Sequence, residues 1–531
     1  MLCRPPHSLP SFLSRTDAKN PLSTVKALGS QNDDDSDDED EAAARRKKEA
    51  QKQQLGNFET EQLINAVSKI TDLLRKCWGV AGANIISTNL GTQEDSALEV
   101  FNPTVPGKSV FAVFAFAGIN GFDHTLRQLQ GDVMILINDV ANVLHGEVFR
   151  WGLGDTGQCN KNLGAAFLMV FRIGLVKSVI EKLEQATKVV FQNNTAKTGV
   201  RRRNRKVLRD GTSDESSYSQ VATSRSAVSG RRRKNQHQYA SRAQLSSVLQ
   251  RLPGIQIFTD RAVIGMLKTF AGIHRDNKLL AWKNDFRLGA GVGAFYVNMI
   301  FGMDAGWAVE GAVGSEYKID ATYLSPHVNM AARMMSACKQ FGVSILLSQA
   351  IEELMSGMAR SKLRHIDTVT VKGSTVKQKI FTYDARHKGV DFFLFSRSDD
   401  QADLDSDRYS QDIWNIDQDL TAMRQHVTEA FEKEFNKGRD AYLAGNWKVA
   451  MQHLEAADDM MVETVTDQGY IQDELNELQE RILDGEDAKA AQEELKAETS
   501  DGPSRRLMAY MQSENLQVPQ TWKGYRPLTS K

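Results

Sequence analysis

The chain has 531 residues, of which 66 are Lys or Arg, 67 are Asp or Glu, and 41% are apolar. That length corresponds to about three domains; the apolar share supports a real core, and the balanced charge excludes a general polyanion binder. The four cysteines, Cys3, Cys77, Cys159 and Cys338, form no CxxC pair, which argues against a zinc site and a disulfide framework and suits a reducing, cytoplasmic compartment.

Residues 1–55 carry an acidic block from Asp33 to Glu41, followed at once by Arg45-Arg46-Lys47-Lys48. A leader so biased has too little apolar surface to order itself, so disorder is expected. The opening MLCRPPHSLPSF lacks an apolar h-region, and no secretory signal is expected. A helical lead-in segment spans 56–104. Leu63, Ile64, Val67, Ile70, Leu73 and Leu74 recur there at three- and four-residue steps, the period of an amphipathic helix. Its apolar face suits pairing with a second copy or packing on its own domain.

Residues 108–192 alternate strand and helix signals. Ser109–Phe116 reads as a strand, Leu126–Leu144 as a helix, and Gly146–Trp151 with Ala165–Phe171 as a strand pair. No apolar run reaches the roughly 18 residues of a membrane span. Residues 193–243 then interrupt the domain that runs over 105–390. They hold Arg201-Arg202-Arg203 and Arg231-Arg232-Arg233-Lys234 among many Ser, Asn and Gln, the signature of a disordered basic insertion. A solvated loop or an anionic partner, including the acidic leader, would account for it. Tyr218 is the only aromatic residue between the two clusters, which argues against a nucleic-acid stacking platform.

The tail, 391–531, is helix-rich. Phe431, Phe435, Gly438, Ala441, Tyr442, Gly445, Trp447, Ala450 and Leu454 spell helix, turn and helix over 431–461, which resembles one tetratricopeptide unit. A single unit cannot form a solenoid, so a hairpin capping the domain is expected. Residues 471–498 read as a charged, Glu-rich helix.

Four segments, in order, resemble the class III adenylate and guanylate cyclases in their protist form. They are Phe114-Ala115-Phe116-Ala117-Gly118-Ile119-Asn120-Gly121-Phe122, Asn160-Lys161-Asn162-Leu163-Gly164-Ala165-Ala166-Phe167-Leu168, the stretch from Gly306 to Arg333, and Val371-Lys372-Gly373-Ser374. Trp522-Lys523-Gly524-Tyr525-Arg526 is similar to the tail of those enzymes. The resemblance implies an α/β (α+β) fold: a ferredoxin-like βαββαβ core with a mostly antiparallel sheet, here with a helical C-terminal extension.

The family's reaction turns a ribose hydroxyl onto its own α-phosphate with two divalent cations, and such cations want carboxylates. The positions matching the family's two metal aspartates are Gly118 and Ala165, which offer none. Asp123 and Asp155 lie nearby in sequence without occupying those positions. The other half of the family's site has matches. Lys161 matches the base-recognising lysine and Thr322 a base-selecting position. Asn329 matches the ribose-orienting asparagine, Arg333 the arginine that stabilises transition-state charge, and Lys372 the lysine on the terminal phosphates. His327 is expected to be structural or exposed, and Gly306, Gly311 and Gly314 to serve close backbone approach and turns.

These matches imply a chain inactive by itself that supplies base-, ribose- and phosphate-binding residues to a second cyclase-type domain. A heterodimer is expected, with a homodimer as the alternative. ATP is the expected nucleotide and GTP the runner-up, with Mg²⁺ or Mn²⁺ only where the partner supplies the ligands. A non-catalytic scaffold or nucleotide sensor, and a working cyclase with a rearranged metal site, are the alternatives.

Overall fold

In a computed structural model the chain is described over residues 60–73, 76, 77, 82, 106–152, 156–182, 249–288, 295–315, 317–371, 376–387, 390–467, 476, 482 and 499–528. The leader, the basic insertion and nearly all of 471–498 lie outside these residues. Residues 60–73 are helical, with Leu63, Ile64, Val67, Ile70 and Leu73 all exposed.

An unbroken apolar run makes β1 (Lys108–Ile119), ten of whose residues are buried in succession. Alternate side chains of a strand point to opposite faces, so a strand apolar at every position needs cover on both sides. Next come α1 (Phe122–Leu129) and α2 (Val133–Trp151), the hairpin of β2 (Gly157–Leu163) and β3 (Ala166–Leu175), α3 (Ile255–Ile273) and β4 (Met299–Ser315). In space the order is β4-β1-β3-β2, each neighbouring pair antiparallel. This is the expected ferredoxin-like βαββαβ core.

One face of β1, through Phe111, Val113, Ala115 and Ala117, packs in a core with Leu136, Val140 and Leu144 of α2 and Val263, Met266 and Phe270 of α3. The other face, through Val110, Ala112, Phe114 and Phe116, joins Ala331 of α4 (Pro326–Phe341).

The expected strand over Gly146–Trp151 is instead the last part of α2. Leu144, Val148 and Trp151 are buried along it, continuing the helical period. A short apolar run does not by itself distinguish helix from strand. The true partner of β3 is the more polar β2, and Gly164 turns the hairpin at φ 70°, a conformation glycine adopts without strain.

The sheet extends through β5 (Lys318–Leu324), which pairs with the far end of β4, and β6 (Ile345–Ser348), which runs parallel to β4. α4 makes the crossover between them. Ser325 caps it by accepting from the His327 amide, Pro326 occupies its first turn, and Gly342 ends it in the left-handed region, as helix-terminus chemistry favours. β7 (Arg364–Val371) and β8 (Gln378–Thr382) follow. The sheet is closed on the β7 side by β9 (Arg526–Leu528), which pairs parallel with Val369–Val371.

The tail is riveted to this sheet. α5 (Glu429–Leu443) and α6 (Trp447–Asp467) form a hairpin, packed in one apolar cluster with α7 (Gly502–Ser513). Arg364 of β7 pairs with Asp384 and Asp501 beneath the rings of Phe431 and Phe435. Arg526 of β9 pairs with Asp367 at 2.8 Å between Phe341 and Tyr510. Trp522 packs against Tyr442, Trp447 and Tyr510.

Removing one partner of a buried pair leaves an uncompensated charge. Arg364→Ala should therefore cost about 3–5 kcal/mol, read as a lower urea midpoint; a loss below about 1 kcal/mol would mean that the pair behaves as a surface contact.

Burial pushes His274, His365 and His426 each down to about 4, with Arg439 helping at His365 and Arg386 at His426. A free histidine titrates near about 6.5. As pH falls through that value the unfolded chain gains protons that the folded chain refuses. Stability present above pH about 6.5 should thus be lost progressively down to about 4, by up to about 1.4 kcal/mol per pH unit for each histidine. Urea midpoints at pH 7 and pH 5 check this; equal midpoints would contradict it.

Candidate functional site

Gly118 lies near the carboxyl end of β1 with Ala166 as its cross-strand partner, and the Ile119 amide donates to the Ala165 carbonyl at 2.9 Å. The two positions that match the family's metal aspartates are therefore neighbours, as a two-carboxylate site requires. Neither side chain carries a donor. A Cβ added at Gly118 would stand 2.8 Å from Met335 Sδ and 3.3 Å from its Cε. A thioether is a soft ligand, whereas Mg²⁺ and Mn²⁺ take hard oxygen donors. The residues present do not fit the pair of cations that the family resemblance implies.

Asp123 is exposed in the first turn of α1, and Asp155 lies outside the described residues. Among the described residues no group of three or more His, Cys, Asp or Glu is placed to hold a metal ion.

The remaining candidates are spread over three elements. Lys161 is half-buried on β2, next to the irregularity in its pairing with β3. Thr322 is half-buried on β5 opposite Gly311. Asn329 is exposed and Arg333 half-buried on α4, four residues apart and so on one face. β3, β1 and β4 stand between β2 and β5 in the sheet. Lys372 lies outside the described residues. Thus Asn329 and Arg333 are brought together, and so are Gly118 and Ala165, whereas Lys161 and Thr322 sit on separated strands.

Two buried polar networks hold these elements. On β4, Asp304 is fully buried; it accepts from Ser348 Oγ of β6 and lies 2.9 Å from Nδ1 of His327 on α4. This ties the start of α4 to two strands and sets the pitch on which Asn329 and Arg333 project. Gly306 makes the room: a Cβ there would fall 2.3 Å from the His327 ring. Further along β4, Glu310 receives Arg172 at 2.7 Å and the Tyr323 hydroxyl at 3.0 Å, joining β3, β4 and β5 beside Thr322. Burial and the Glu310 carboxylate push the Tyr323 phenol well above its ordinary range.

His327 is structural, as expected. Sequence reasoning missed Asp304, Ser348 and Met335. The signal for Asp304 was a lone carboxylate within the apolar run Met299–Val309, since a buried charge needs a partner.

Known proteins match this chain over parts of its length. One stretch of 81 residues, 15% of the chain, is 32% identical to a terminal-differentiation-specific adenylate cyclase of Dictyostelium discoideum. Another of 90 residues, 17% of the chain, is 32% identical to an adenylate cyclase of Anabaena cylindrica. The matches span 4% and 18% of those two proteins.

Among solved structures, a bacterial light-regulated adenylyl cyclase matches with a TM-score of 0.35 at 14% identity, over 61% of this chain and 62% of that one. An adenylyl cyclase from P. aeruginosa matches with a TM-score of 0.30 at 14% identity, over 52% of this chain and 95% of that one. A dimeric guanylyl cyclase domain of Blastocladiella emersonii matches with a TM-score of 0.27 at 13% identity, over 52% and 96%. Residues 13–91 match the family model of the all-helical domain of RasGEFs. Among the described residues no helix is long and apolar enough to cross a membrane.

Gly306→Ala should drive a methyl into the His327 ring and lower stability by about 1–3 kcal/mol, measured by thermal unfolding. An unchanged transition would mean that α4 is not seated through this contact.

Proposed function

We propose that this chain is a nucleotide-cyclase-related subunit that completes the site of a partner cyclase-type domain and makes no cyclic nucleotide alone. The observation that carries the reading is an asymmetry within one sheet. The adjacent positions Gly118 and Ala165 offer no carboxylate, and Gly118 faces the sulfur of Met335. Meanwhile Asn329 and Arg333 stand on one face of a helix anchored at its start by the buried Asp304–His327 contact.

The chemistry divides accordingly. Bound cations would lower the pKa of the ribose hydroxyl and neutralise the triphosphate, and in this reading the partner's carboxylates hold them. Arg333 of this chain contributes fixed positive charge to the phosphate as charge develops, a stabilisation that counts most when the group is already in place. Asn329, one turn earlier, orients the ribose. Lys161 and Thr322 read the base edge, and Lys372 contacts the terminal phosphates. The nucleotide is ATP, with GTP as the second candidate. The partner is a second cyclase-type domain, a different chain in preference to another copy of this one, because two copies would duplicate the same aspartate-free positions.

The test is complementation. The chain is mixed with a cyclase domain that keeps both metal aspartates but is disabled in its own asparagine and arginine, with Mn²⁺ and ATP, then GTP. Product should appear only in the mixture, and Arg333→Ala should lower its rate by about 10²-fold or more. Two outcomes would defeat the reading. One is product from this chain alone that vanishes in Arg333→Ala; the other is a mixture indifferent to Asn329→Ala and Arg333→Ala.

A further inference from the structure

We infer that Met335 is a built-in plug: its thioether occupies the volume over Gly118 in which a cation-binding carboxylate would stand. This rests on the reading of Gly118 and Ala165 as the former metal positions.

The close approach begins at Gly302 of β4. A Cβ there would lie 2.0 Å from the Met335 amide nitrogen and 2.4 Å from the Ala331 carbonyl oxygen, so the backbone of α4 rests directly on the strand. Gly302 pairs with Phe116, and Ile300, two residues earlier, pairs with Gly118. The helix turn pressed onto Gly302 therefore delivers the Met335 side chain to the end of β1. There its sulfur and terminal methyl meet the bare face of Gly118, with Ile300 Cγ1 next nearest.

The thioether is gripped from two sides. Met335 packs against the cluster of Ile300, Met334 and Cys338 and also against that of Phe114, Phe116 and Ala331. A flexible, polarisable side chain suits such an irregular gap. The same α4 carries Arg333 two residues away, so closure of the metal position and placement of that arginine share one helix. Met335 is in this sense a positioning residue. A carboxylate restored at 118 alone would compete with the thioether for its space.

The experiment compares two variants in the full chain without nucleotide: Gly118→Asp/Ala165→Asp, and the same pair with Met335→Ala. Mn²⁺ binding is read from the electron-spin-resonance signal of free Mn²⁺. The triple variant should bind about tenfold or more tightly than the double, in the range by which neighbouring residues tune metal affinity. Equal affinities would overturn the inference, as would a folded triple variant that binds no Mn²⁺.

If the triple variant does not fold, a second cycle decides. Gly118→Ala should shift the unfolding temperature by different amounts in the native background and when Met335 is already Ala, since contacting residues are non-additive. Strict additivity would overturn the inference. These readings are independent of product formation with a partner, so the plug and the complementation reading succeed or fail separately.

Discussion

The arrangement hangs on β1, a strand that is bonded on both edges and buried on both faces. Its backbone is satisfied by β3 and β4, so its apolar side chains dictate what else must exist. α2 and α3 have to cover one side and α4 the other. The candidate site is a by-product of that sandwich. Gly118 sits where β1 ends, and Asn329 and Arg333 sit on the helix that covers it. A change in how α4 meets β1 is felt at both groups at once, which is why Met335 and Gly302 matter as much as the residues expected to touch ligand.

The charges inside this protein serve construction. Asp260 accepts from the Ser356 amide, the Tyr409 hydroxyl and the Trp414 indole, fastening α3 to the segment that follows the sheet. Asp304, Glu310, Arg364 and Arg526 each cross between elements in the same way. A buried charge is tolerable only when paired and hydrogen-bonded, so each of these contacts fixes an alignment as well as holding surfaces together. The strongly shifted histidines lie in the same architectural places, one at the end of α3 and two beside the tail.

Much of the core was legible because its signals are local. The run Ser109–Phe116 announced a strand, and the spacing of Phe431, Phe435, Tyr442 and Trp447 a helical pair. The family resemblance singled out Gly118 and Ala165, and the structure brings them side by side. What stayed hidden depends on distance along the chain. Gly146–Trp151 is apolar enough for either element, and only the faces of α2 and α3 decide between them. Asp304 meets Ser348 across 44 residues, and Met335 meets Gly118 across the sheet. No spacing rule reports such meetings, since they follow from which strands pair and where a helix lies on the sheet.

The pairing of β9 with β7 carries a consequence for how the sheet comes into being. Asp367 and Arg526 are 159 residues apart, and the strand that flanks β7 belongs to the far end of this sequence. Until that end has been synthesised, β7 presents an open hydrogen-bonding edge and Asp367 a carboxylate without its arginine, and such edges invite pairing with other chains. Long-separated contacts also form late because loop closure has to precede them. The nascent chain thus passes through a stage in which its βαββαβ core is complete while one flank is still adhesive. The pairing of β9 with β7 ends that exposure.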